Sequence, residues 1–432
     1  MTSLKIISAL VICIAASASG DSAAAKFWPQ WRGPLGTGAA PQADPPLTWS
    51  ETNNIQWKLA LEGEGDSTPI VWADRVFMLC AIPSADKASE PGKEKASFGT
   101  FQFTVVCVER ASGKILWQKV ARETSPHEGR QENNTFASAS PVTDGKFVWA
   151  FFGSRGLHCY DFEGNLKWQK DFGLMKTKMG FGEGSSPALS GDTLVIYWDH
   201  EGEDFIAAFD KTTGKERWRQ PRDEATGWST PLVVEFNGQK QVIVNATGKV
   251  RSYDLATGKE LWSCAGQTAN AIPTPVAKGD MVYVTSGFRG SALQAIRLGQ
   301  TGDLTGTDTI AWSHNKSTPY VPSPLLTDDY LYLISGNEGM ISCFDASTGT
   351  TYFERERLEG IRGVYASPVS AGERIYILGR EGACTVLRKG PKLEVLAVNR
   401  LADARSDASI ALVGKQLFIR TAHNLYCISE KQ

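Results

Sequence analysis

Carboxylates, cations and rings stand close together at several points of this chain. The stretch Asp254-Leu255-Ala256-Thr257-Gly258-Lys259-Glu260-Leu261-Trp262 sets an acid, a lysine and an indole side by side, a set able to hold a proton, an anion or a flat ligand. Its copies remove that reading. Asp161 with Gly164 and Trp168, Asp210 with Gly214 and Trp218, Glu109 with Gly113 and Trp117, and Asp345 with Gly349 and Phe353 all keep the ring four residues after the glycine. A site is not built five times over, so the stretch reads as a turn. The acid accepts backbone N–H bonds, the glycine takes positive φ, and a strand carrying one large ring follows.

Other chemistry is sought and not assigned. The five histidines, His127, His158, His200, His314 and His423, are scattered without metal-ligand spacing, and no Cys-x-x-Cys occurs. Gly-x-Ser-x-Gly, phosphate-loop and His-Glu-x-x-His motifs are missing as well. Asp171-Phe172-Gly173 imitates a kinase motif but lacks a His-Arg-Asp partner. The sequence therefore names no catalytic residue, metal set or cofactor. With 45 Lys plus Arg against 47 Asp plus Glu, the net charge of -2 gives no field for nucleic acid.

The elements that position side chains come from a second marker, Ser or Thr followed by Pro and an apolar strand. It occurs at Thr68, Ser140, Ser186, Thr230, Thr274, Ser323 and Ser367, with a degenerate copy at Ser409-Ile410. Units of about 45 residues holding four short strands each predict propeller blades. The fold expected is all-β, an eight-bladed β-propeller of four-stranded antiparallel blades over 55–432. The last unit lacks an outer strand, and 55–61 resembles an outer strand without a unit. That N-terminal strand is expected to complete blade 8 and close the ring. Trp57, Trp117, Trp168, Trp218, Trp262 and Trp312 fall at the outer-strand position and are expected to dock each blade against its neighbour.

Residues 1–25 read as a signal peptide: a charged start, a short apolar run and small residues ending at Ala23-Ala24-Ala25. The run is too short for a membrane span, so an exported, periplasmic or extracellular protein is expected. Residues 26–54, with Trp28, Trp31 and several prolines, read as an extended segment lying on the body. Cys107, Cys159, Cys343 and Cys427 occupy a position that is Ala or Ser in other units. They read as small buried strand residues, with a Cys80–Cys107 disulfide as the one exception considered.

Long inserts at 82–103, 121–137 and 171–185 fall on one face, beside blades 1 to 3, while the A–B and C–D turns of the other face are tight. Asymmetric decoration marks the binding face. Candidate ligand-face residues there are Asn134, Arg155, Glu183, Arg289, Asn337, Glu338, Arg380 and Asp407. Trp228, Tyr320 and Tyr365 precede markers and are placed at the channel mouth, where they would suit a polysaccharide.

Ser/Thr-Pro openings followed by Asp-x-x-Thr-Gly-Lys-x-x-Trp closings resemble the pyrroloquinoline-quinone (PQQ) type of propeller repeat over nearly the whole chain after the signal. One branch of that family, the quinoprotein alcohol dehydrogenases, implies a quinone between a Trp and an adjacent-cysteine disulfide, with Ca²⁺ beside it. This sequence has no Cys-Cys pair. The BamB-like branch implies a non-catalytic scaffold that binds a partner in the cell envelope. The expectation is therefore a monomeric scaffold for a protein or glycan partner, with PQQ- and calcium-dependent oxidation as the alternative.

Overall fold

A computed structural model describes residues 24–84, 98–336, 339–403 and 405–430. The signal-peptide stretch before residue 24, and the candidates Asn337 and Glu338, lie outside these residues. Among the described residues the strands form eight sheets, each an antiparallel blade of four with one short parallel strand added to the blade 4 sheet, and helical structure is limited to two 3-10 turns, Gly153–Arg155 and Lys178–Gly180. No helix among them is long and apolar enough to cross a membrane. Blade 4 shows the pattern, with Leu232–Phe236, Gln239–Val244, Val250–Asp254 and Glu260–Cys264 as strands A to D from the channel outwards. The N-terminal strand Ile55–Ala60 pairs antiparallel with Asn424–Ile428 as the outer strand of blade 8, so the ring is closed by its own two ends. The open edges of both are satisfied in one pairing.

The turn of each repeat is built as the sequence requires. Asp254 Oδ1 accepts from the Thr257 amide at 2.8 Å and its hydroxyl at 2.7 Å, while Gly258, at φ 74°, donates to Asp254 O. What the glycine is for emerges only between blades. A Cβ on Gly258 would come within 2.5 Å of the Trp218 ring of blade 3, and that indole donates to Leu255 O at 2.8 Å. Trp57, Trp117, Trp168 and Trp312 repeat the bond to the turns of blades 1, 2, 3 and 6, at 2.8 to 3.1 Å.

Trp262 differs. Its indole donates to Gln241 of its own blade at 3.0 Å. The reason lies in blade 5, whose C–D connection is long instead of tight. Gly302–Asp303 of that connection pairs parallel with Glu260–Cys264 as a fifth strand, and Leu298 and Leu304 pack over Trp262.

The Ser/Thr markers link the blades at the axis. Thr68 donates its amide to the Ser140 hydroxyl, Ser140 to Ser186, Ser186 to Thr230, and so on through Thr274, Ser323, Ser367 and Ser409, which returns to Thr68 Oγ1 at 3.0 Å. Eight buried amides and eight hydroxyls thus satisfy one another around the channel. The hydroxyl is the acceptor for the neighbouring marker's amide, and the inner strand begins just after the proline position, as at Ile70 after Pro69 and Leu232 after Pro231. The degenerate marker Ser409-Ile410 keeps the hydroxyl and loses only the proline.

The segment expected merely to lie on the body does more. Trp28 pairs with Val71, Pro29 O accepts from Thr143, Thr37 O from Leu326, Ala40 donates to Ser370 O and Asp44 to Gly414 O. It crosses the inner strands of blades 1, 2, 6, 7 and 8 and closes the channel at the end that carries the A–B turns. Arg32 is buried there with carbonyls as partners, Pro324 O at 2.6 Å, Pro368 O at 3.2 Å and Thr37 O at 3.3 Å. Burial pulls its pKa down to about 9.

The seven cysteines described are free and buried. Cys107 faces Phe77 and Cys80 faces Thr104, three ladder positions apart, so the Cys80–Cys107 bond does not form. Burial pushes the thiols of Cys107, Cys159, Cys343 and Cys427 up to about 12.

Candidate functional site at the channel mouth

The residue two before each marker enters the channel on the face opposite the sealed end. In blade order these are Asp66, Ser138, Gly184, Trp228, Ile272, Val321, Tyr365 and Asp407, and all eight line one cavity of about 380 Å³. Trp31, from the sealing segment, also lines it, with Gln131, Asn133, Phe181, Phe288 and Tyr320 from the surrounding loops. One repeat position thus supplies the wall, and the side chain there is free to vary because the marker itself holds the ring together. The wall has two sides: Asp407 and Asp66 stand on adjacent blades 8 and 1, and Trp228, Ile272 and Val321 on blades 4 to 6.

The acidic side is unequal. Asp407 accepts from Arg380 at 2.7 and 3.0 Å and from Arg405 at 3.3 Å. Arg380 also donates to Asn133 Oδ1 at 2.7 Å and lies 4.1 Å from the Tyr365 ring centre. Burial works against the Arg380 charge, but its bonds to Asp407 outweigh that and raise its pKa. Asp66 has no such partner. Burial, together with the Asp407 charge, pushes its carboxyl up to about 7, against the opposing pull of Arg420 and Arg405. On the apolar side the Trp228 indole is fixed by a 2.7 Å bond to Gly182 O, and Tyr320 stacks on Phe288 at 5.0 Å.

The other sequence candidates are placed elsewhere. Glu183 accepts from Ser154 N, Ser154 Oγ and Arg155 at 2.6 to 3.0 Å, and Arg155 lies over Phe103, so this pair braces blade 2 away from the cavity. Asn134 lines the cavity, but its amide holds the 171–185 connection through Phe181 O at 2.9 Å. Arg289 is exposed beside Phe288, at φ 51°. Several lining residues escaped the sequence reading, among them Trp31 and Asp66. Asp66 was open to it, since it stands at the same offset from Thr68 as Trp228 does from Thr230. Trp31 carried no such signal, because its segment lies outside the repeat.

His127, Glu128 and Glu183 bring a nitrogen and two carboxylates within 4.8 Å of one another. Each is committed to the protein: His127 to Met175 O, Glu128 to the Thr177 amide and hydroxyl, Glu183 to Ser154 and Arg155. The cluster ties two connections together through these bonds. A quinone with Ca²⁺ fits the cavity poorly for a related reason. Of its two carboxylates, Asp407 is bound by two guanidiniums, and Asp66 is raised toward the neutral acid. Hard cations require several free anionic or carbonyl oxygens, and this donor set does not provide them.

Residues 102–355 match the family model for outer membrane protein assembly factor BamB. The BamB of Marinobacter adhaerens (strain DSM 23420 / HP15) is 26% identical over 163 residues, which span 38% of this chain and 37% of that relative. Among solved structures, BamB from Moraxella catarrhalis superposes with a TM-score of 0.60 at 16% identity, over 87% of this chain and 99% of that one. Quinohemoprotein alcohol dehydrogenase from Comamonas testosteroni gives 0.65 at 10% identity, over 95% and 82%. At these identities both likenesses concern the fold.

Proposed function

The chain belongs to the family of outer membrane protein assembly factor BamB, and from that premise we propose that it is an exported, non-catalytic scaffold of the cell envelope, binding a protein partner through its loop-rich face. The observation that carries this reading is the blade 2 to blade 3 connection. Leu174 is 63% exposed and Met179 82% exposed, both on that insert, and Met179 is held at φ 53°. Large apolar side chains presented to water at the tip of an insert, in a backbone conformation an L-residue adopts at a cost, mark a contact surface. Phe98, 44% exposed, adds a third from the blade 1 insert. The chain acts as a monomer here, since the closed ring leaves one decorated face.

The test is affinity purification from the native envelope with wild type and a Leu174→Ser, Met179→Ser double variant. Both sites are exposed, so folding is expected to be unchanged within about 0.5 kcal/mol. Loss of a co-purifying protein in the variant supports the reading; the same proteins in the same yield would refute it.

A further inference from the structure

The cavity of about 380 Å³ is within the range of small-molecule sites and holds polar groups that the fold leaves unused. Among the described residues Asp66 bonds only through its backbone amide, to Thr135 Oγ1 at 3.1 Å, and no donor reaches its carboxylate. The Tyr320 hydroxyl, Asn133 Nδ2 and Gln131 Nε2 likewise have no partner there, although Asn133 and Gln131 use their carbonyl oxygens, toward Arg380 and Asn133 N. The aromatic surfaces are fixed and available: Trp228 by its bond to Gly182 O, Tyr320 by stacking on Phe288.

Charge decides what kind of ligand suits this arrangement. Three carboxylates, Asp66, Asp407 and Glu64, stand among four guanidiniums, Arg380, Arg405, Arg420 and Arg130, the last paired with Glu64, so no net negative field draws in a cation. The guanidiniums are committed: Arg380 and Arg405 to Asp407, Arg420 to Ser67 O and Leu79 O. Each guanidinium is thus already held by a partner in the protein, which weakens the case for an anion. What remains is an acceptor, amide donors and ring faces, the complement of a neutral ring with hydroxyls on its edge and C–H bonds on its face.

We propose that the channel cavity binds a pyranose unit of a neutral saccharide, its C–H face against Trp228, its hydroxyls donating to Asp66 and accepting from the Asn133 and Gln131 amides. The aromatic and acidic sides lie on different blades and line the same cavity, so a ligand seated in it is presented with both. Protein capture by the outer loops is a separate event, and the two readings stand or fall independently.

Isothermal titration of the full chain with methyl glucoside, cellobiose, maltose and N-acetylglucosamine tests this, with tetramethylammonium and citrate as cation and anion probes. The expected result is saturable binding of at least one saccharide, none of either ion, and an affinity loss of about tenfold or more in Trp228→Ala and Asp66→Ala. If Trp228→Ala does not fold, Tyr320→Ala replaces it, since that hydroxyl has no partner to lose. Absence of saccharide binding would overturn the proposal, as would preference for either ion, or a saccharide affinity unchanged in the variants.

Discussion

Replacing Gly258 with alanine separates the two roles assigned to the repeat glycine. Its φ of 74° is left-handed, and a Cβ there would stand 2.5 Å from Trp218 Cε3 and 2.6 Å from Cδ2. Gly279, in the A–B turn of blade 5, has a φ of 61° and nothing within 4 Å of its would-be Cβ. Both substitutions carry the conformational cost, about 1–2 kcal/mol. Only Gly258→Ala also drives a methyl into a ring that is 8% exposed and tied to Leu255 O. Overpacking of that kind adds about 1–3 kcal/mol. Urea unfolding should therefore place Gly258→Ala about 2–5 kcal/mol below wild type and Gly279→Ala about 1–2, at unchanged slope. In a Trp218→Ala background the methyl has room, and Gly258→Ala should fall to the smaller value, a coupling of about 1–3 kcal/mol. Equal losses at both glycines, with no coupling to Trp218, would refute the docking reading.

Three further outcomes follow from buried charge and burial. Arg32→Met leaves the carbonyls of Pro324, Pro368 and Thr37 without their donor and should cost about 2–4 kcal/mol, with faster proteolysis of residues 26–54; an unchanged unfolding midpoint would contradict the sealing role. For Asp66, at about 7 folded against an ordinary 3.8, the folded state holds the proton more tightly across that window, so stability falls as pH rises through it and levels off above. The groups facing it are Asp407, Arg420, Arg405 and Glu64. Asp66→Asn should gain on wild type more at about pH 8 than at about pH 5 in thermal melts, and a pH-independent difference would refute the shift. Finally, the buried thiols, with Cys107 and Cys427 at about 12, should resist iodoacetamide at mildly alkaline pH until the protein is unfolded, which mass spectrometry reads directly. Alkylation of Cys107 in the native protein would contradict its burial.

Much of the site was legible once the repeats were aligned. Trp228, Tyr365 and Asp407 stand at one offset from their markers, and the channel is where the structure puts them. Arg155 and Glu183 share the correct face but spend themselves on each other and on Ser154, because residue type and face do not fix the direction of a side chain. Trp262 kept the motif and lost the partner, since the outcome rested on the length of a turn in the next blade.

What the sequence by itself determined was everything that depends on contacts close along the chain. Strand, turn and blade count follow from two-residue alternation, an Asp-to-amide turn and a recurring Ser/Thr marker, each a local hydrogen-bonding preference repeated at a fixed interval, and ring closure follows from the count, one strand spare and one missing. Tertiary structure alone decided what those residues meet. The marker hydroxyl serves the amide of the next blade, the glycine makes room for a ring from the preceding one, and Trp31 closes a channel whose walls come from eight separate turns. Those partners are a blade or more apart in sequence, so no local pattern encodes them, and packing around the closed ring brings them together.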